Sequence, residues 1–97
     1  MKILGYHYTV RRDLGFSEIG AMGRFCVADL VISISKDVGK EQAESTALHE
    51  IIEALNQHLG LEMSHQVIMS LESTLYQILT ENGVDLSPLL ETDGEKK

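Results

Sequence analysis

The amino-acid sequence predicts a small α+β domain in which a short antiparallel β-sheet precedes an αα-hairpin. Three observations lead there: period-two alternation near the start, a second run rich in β-branched residues, and two long segments of helical composition with their own stop signals. A chain of 97 residues should form one domain, because chains usually divide only above roughly 150 to 250 residues.

Residues 2–10, KILGYHYTV, set Leu4, Tyr6, Tyr8 and Val10 on one side of an extended chain and Ile3, Gly5, His7 and Thr9 on the other, the pattern of a half-buried strand. Residues 11–23 carry three glycines and no sustained period, so they read as a loop. Residues 24–35, RFCVADLVISIS, predict two short strands or one bent one, with Ala28 and Asp29 as the interruption. From Lys40 onward no Gly, Pro or Val occurs until Gly60, which predicts a helix over 40–59 with a glycine stop. Ser64 is placed to cap a second helix over 64–81 that ends at Asn82 and Gly83. The domain is expected to occupy 1–90, and the remaining ETDGEKK, 91–97, to be a flexible polar tail.

Hydrophobic residues make up 43% of the chain and charged ones 24%, the usual globular mix, so neither a disordered nor a fibrous protein is indicated. Fifteen acidic against eight basic side chains give a net charge of −7, and the only adjacent basic pairs, Arg11-Arg12 and Lys96-Lys97, make no patch. Nucleic acid is therefore an unfavourable partner, as is an anionic membrane surface. No apolar run approaches the roughly 18 residues needed to cross a bilayer. The lone Cys26 cannot form an intrachain disulfide, and no apolar run of signal-peptide length opens the chain, so the cytoplasm is the expected location. Cys26 itself reads as a small buried hydrophobe. A domain this small buries only about 60 to 65% of its unfolded surface, which makes help from a metal or a partner chain, a homodimer included, a natural expectation.

One constellation carries chemistry. His49, Glu50, Ile51, Ile52 and Glu53 form an H-E-x-x-E run within the first helix. At 100° per residue, His49 and Glu53 project side by side and can grip one ion, as the two histidines of H-E-x-x-H zinc hydrolases do, with the intervening glutamate as general base. That grip needs a third ligand. The same helix also fits a plainer description: Ala43, Ala47, Leu48, Ile51, Ile52, Ala54, Leu55 and Leu59 cover one face, while Ser45, Thr46, His49, Glu50, Glu53, Asn56 and Gln57 form a solvated one. His58 falls on the apolar face, opposite His49, and reads as a packed, hydrogen-bonded histidine.

The second helix has an apolar stripe of Val67, Ile68, Leu71, Leu75, Ile78 and Leu79, and along its edge lie His65, Glu72 and Tyr76. Ionisable groups beside a buried stripe need a partner or a metal. Folding the hairpin about Glu62 brings Glu72 level with Ile52 and Glu53 and Tyr76 level with Leu48 and His49, which favours Glu72 as third ligand. A His49, Glu53, Glu72 set would suit Mn or Fe as readily as zinc, whereas His49, Glu53 and His65 would make a two-histidine, one-carboxylate zinc set. All four together would close the site and suggest a structural ion.

Residues 46–82, TALHEIIEALNQHLGLEMSHQVIMSLESTLYQILTEN, resemble the small zincin-like metallopeptidases encoded by bacteriophages and prophages. The matching residues are His49, Glu50, Ala54, Leu61, Ser64, Leu75, Tyr76, Gln77, Leu79 and Asn82. Glu53 departs from the family pattern, which has its second histidine there and tends to carry Glu where this chain has His65. The resemblance thus implies an exchange that keeps two histidines and one glutamate around the ion, with His65 as third ligand. It further implies a minimal zincin-like fold in a bacterial host cell, with Glu50 as general base and Tyr76 as a stabiliser of the oxyanion, acting on a peptide or protein substrate. So small a chain has few residues for substrate subsites, which a homodimer or partner would supply. The substituted ligand and acidic surface equally suit a zincin-shaped binding or regulatory module without catalysis.

Overall fold

A computed structural model of the chain describes residues 1–13, 23–26 and 30–91. The first extended run is not the single strand its alternation predicts. Leu4 and Gly5 take φ of 53° and 86°, so the chain reverses there into an antiparallel hairpin of β1 (Lys2–Ile3) and β2 (Tyr6–His7). Positive φ at both central residues matches the twist of a two-residue hairpin, and glycine accepts it without steric cost. The hairpin brings Met1 back to Tyr8: the Tyr8 N–H donates to the Met1 carbonyl at 2.7 Å, and the terminal ammonium donates to the Tyr8 carbonyl at 3.0 Å. The predicted face is thereby split, with Leu4 and Tyr6 exposed and Ile3, Tyr8 and Val10 buried.

Three further strands follow: β3 (Thr9–Asp13), β4 (Gly23–Cys26) and β5 (Val31–Ser35). Central β5 pairs antiparallel with β4, Ile32 opposite Phe25, and parallel with β3, Ile32 opposite Val10. The predicted antiparallel pairing is present in the hairpin and in β4–β5, and the parallel β3–β5 pair completes the sheet. Residues 14–30 separate these parallel strands, enough chain for the dozen or more residues such a connection needs. Arg11, Arg12 and Asp13 belong to β3 rather than to the predicted loop because β5 offers them a full backbone ladder. The Arg12 guanidinium adds bonds from Nε and Nη2 to the Ser35 carbonyl at 3.2 and 3.0 Å. The rest of that loop, the Ala28-Asp29 interruption, the Cys26 side chain and the tail beyond Glu91 lie outside the described residues.

Both helices match the predicted spans, α1 at Lys40–Leu59 and α2 at His65–Glu81. Gly60 ends α1 in the left-handed conformation with φ of 62°, and the Ser64 hydroxyl accepts the Val67 N–H at 3.2 Å to start α2. A 3-10 helix, Ser87–Leu90, returns the chain to the core through Leu89 and Leu90. Ala43, Ala47 and Ala54 let one side of α1 approach Val10, Ile32 and Ile34 of the sheet, while Leu48 and Ile52 on its other side meet Ile68 of α2. Because α1 is covered on two sides, Glu44, Thr46 and Glu50 are buried, and the solvated face read from the sequence does not form as such. Thr46 satisfies itself by donating to the Gln42 carbonyl at 2.7 Å. His58 is packed as predicted, its Nε2 2.7 Å from the Tyr8 hydroxyl and its ring stacked on Tyr6 at 4.6 Å. Among the described residues no helix is long and apolar enough to cross a membrane.

Candidate metal centre

Helical spacing sets the first pair of groups. His49 and Glu53 lie one turn apart on α1, with Nε2 and Oε2 separated by 3.3 Å. His65, the first residue of α2, completes a trio in which one ligand atom from each residue lies within 4.8 Å of the others. The His49 and His65 rings meet edge to face with centroids 5.7 Å apart. The Ser64 cap fixes where α2 begins and so places His65 at the mouth of the group, exposed, while His49 and Glu53 sit half-buried behind it.

The donor types of this trio are ones that zinc accepts. Zinc bonds imidazole nitrogen and carboxylate oxygen at about 2.0 to 2.2 Å, so tetrahedral neighbours stand roughly 3.3 Å apart, the spacing His49 and Glu53 already have. Two imidazoles and one carboxylate are a catalytic donor set that leaves a fourth position for a reactant.

Glu72 occupies a different place from the one predicted. Its Oε1 lies 2.9 Å from His49 Nδ1, and its Oε2 accepts a hydrogen bond from the Ser45 hydroxyl. It is therefore level with Ser45 and His49, not with Ile52 and Glu53, and Tyr76 is likewise level with Glu44. The α2 register is displaced by about one turn along α1. The cause is the connection: Gly60 and Glu62 both take positive φ, and the Asn56 side chain ties down Met63, accepting its N–H at 2.9 Å. A simple fold-back about Glu62 ignores that offset.

Glu50 follows His49 but turns toward the sheet side of α1. It is 5% exposed and makes no hydrogen bond or ion pair among the described residues. Burial pushes its carboxyl up to about 7; His49 counters this, and Glu53 and Glu72 add to it. A buried acid with no partner among the described residues is costly, and beside a metal-capable group it is a candidate functional position. The Tyr76 hydroxyl donates to Glu44 Oε1 at 3.3 Å, outside the trio, and Glu44 Oε2 lies 3.9 Å from Lys40 Nζ. Desolvation and the Glu44 carboxylate both raise the Tyr76 phenol, which keeps it a donor.

Two contributors escape a motif reading: Ser45 and Glu44. Ser45 had a signal, since Ser45, His49 and Glu53 recur every four residues and so form one stripe. Glu44 had none, because its burial depends on how α2 docks. Comparison with known proteins returned no match: no family model, no curated protein and no solved structure matches this chain.

Proposed function

We propose that this protein is a zinc-dependent hydrolase, most directly a peptidase, in which His49, Glu53 and His65 hold the ion and Glu50 is the general base. The observation that carries the reading is a convergence: a two-histidine, one-carboxylate trio within 4.8 Å, with a buried glutamate that has no partner among the described residues next to it on the same helix. Zinc in such a set supplies Lewis acidity, which polarises a carbonyl and lets water lose a proton near neutral pH. With an ion bound, Glu50 would be the group to take that proton; its carboxylate has no competing donor among the described residues and is shielded from bulk water. His65 lies at the exposed edge of the trio. Tyr76, whose hydroxyl donates to Glu44, is not needed for this reading.

The test is cleavage of an unfolded polypeptide by zinc-loaded protein, beside Glu50→Gln. The reading expects wild-type cleavage, its abolition by chelator, and a Glu50→Gln variant that keeps zinc but loses at least about 100-fold in rate. Cleavage that survives both treatments would contradict it.

A second reading, a binding module built on the same scaffold, is favoured by one observation. Val67, Leu71 and Ile78 leave an apolar, uncharged flank of α2 exposed. Such a module would tolerate His49→Ala, whereas the enzyme would lose both metal and activity.

A further inference from the structure

The His49 ring has two nitrogens, and the structure gives each a carboxylate on a different side. Nε2 faces Glu53 and the trio; Nδ1 faces Glu72. We propose that Glu72, anchored by Ser45, is the positioning residue of the metal centre: it accepts the Nδ1 proton of His49, fixes the ring in that tautomer and leaves Nε2 free to bind the ion. This rests on the metal reading above for its consequence, though not for its geometry.

The argument begins with the carboxylate. An ionised glutamate only accepts hydrogen bonds, and both Glu72 oxygens are taken, Oε1 by His49 and Oε2 by the Ser45 hydroxyl. Two anchors on one carboxyl fix its plane, and with it the plane of the imidazole it holds. An acceptor at Nδ1 keeps the ring proton there, which is how carboxylate partners set the tautomer of metal-binding histidines. The two ring nitrogens diverge, so a group seated on Nδ1 is directed away from whatever Nε2 binds. Glu72 is thus a brace behind a ligand, and the four-ligand, closed arrangement open to the sequence is not the one this geometry favours. Ile68, one turn before Glu72 and 2% exposed, packs on Leu48 and Ile52 and holds that part of α2 in register with α1. Ser45, Glu72 and His49 therefore act as a chain across the helix pair, each fixing the next.

Ring nitrogen spectra of uniformly 15N-labelled, metal-free protein at pH 8.5, above the ordinary imidazole range, read the tautomer without any metal. Wild type should carry its His49 proton on Nδ1, and Glu72→Ala should move it toward Nε2. Zinc titration against a competing chelator should then lose roughly 10- to 100-fold in affinity for Glu72→Ala. Ser45→Ala, a milder change that keeps the test open if Glu72→Ala fails to fold, should lose less, and Ser45→Ala with Glu72→Ala no more than Glu72→Ala alone, because Ser45 acts through Glu72. The cobalt-substituted Glu72→Ala protein should keep the wild-type visible spectrum, since no ligand has been removed. An unchanged tautomer, an unchanged affinity or a cobalt spectrum showing an altered coordination number would each overturn the proposal. Protein that takes no zinc but shows a Glu72-dependent tautomer would remove the metal reading and leave the brace intact.

Discussion

The two helices look alike in the sequence and differ in how they are held. α1 buries eight side chains between the sheet and α2, whereas α2 buries only Ile68. The apolar stripe of α2 is largely surface: Val67, Leu71, Leu75 and Ile78 are 36 to 50% exposed. Besides Ile68 and the Tyr76 ring that packs on the same cluster, what joins α2 to α1 is polar, namely His49 with Glu72, Ser45 with Glu72 and Tyr76 with Glu44. The domain core and the candidate site thus depend on different interactions. The core around β5 is apolar, with Glu44 and Glu50 buried beside it on α1, whereas the helix pairing adds hydrogen bonds that also shape the candidate site.

Core substitutions should therefore outweigh those in α2. Ile32→Ala, in the fully buried centre of β5, should cost about 3 to 5 kcal/mol by transfer loss and cavity formation and lower the urea midpoint accordingly. Glu50→Gln should act in the opposite direction. In the metal-free protein the Glu50 carboxyl titrates near 7 when folded and near 4.5 when unfolded. The folded state therefore holds the extra proton between those values, and stability falls as pH rises from 4.5 through 7. The loss then levels off at a total on the order of 3 kcal/mol. Urea melts at pH 4 and pH 8 should show the variant stabilised by about 1 to 3 kcal/mol at pH 8 and little changed at pH 4. A variant less stable at both would mean that Glu50 has a partner after all.

Ile68→Ala should cost about 2 kcal/mol, near the lower end for buried aliphatics, because only one small cluster surrounds it. Its sharper consequence is on the site: zinc affinity should fall along with α2 docking, which Ile32→Ala should not cause at temperatures where it remains folded. Equal costs for Ile68→Ala and Ile32→Ala would erase the contrast between the helices. Leu71→Ser, on the exposed flank, should change stability by no more than about 0.5 kcal/mol. Sedimentation of that variant beside wild type reports whether two copies meet there; an uncharged face is where chains of net charge −7 can approach, and added salt should strengthen such contact.

Local signals were read well where local physics decides. Gly60, Ser64 and the Asn82-Gly83 pair end or start helices by their own conformational and hydrogen-bonding properties, so both spans were legible. The four-residue spacing of His49 and Glu53 likewise needed nothing beyond helix geometry. Positive φ at Leu4 was not legible, since leucine rarely adopts it, and the reversal there converts one predicted strand into a hairpin and a third strand. The place of Glu72 depended on the path of residues 60–64, a tertiary property that hairpin counting cannot supply. Glu50 stands at the border of the apolar face, about 20° from Ala43 on the wheel, so its burial depended on how far the sheet covers that side of α1.

The central claim is that His49, Glu53 and His65 hold a metal ion. Its most direct test is zinc content by elemental analysis of untagged protein purified without chelator, beside His49→Ala and Glu53→Ala. The account predicts close to one zinc per chain in wild type and its loss in both variants. Wild-type protein that carries no zinc even after zinc is added would contradict it.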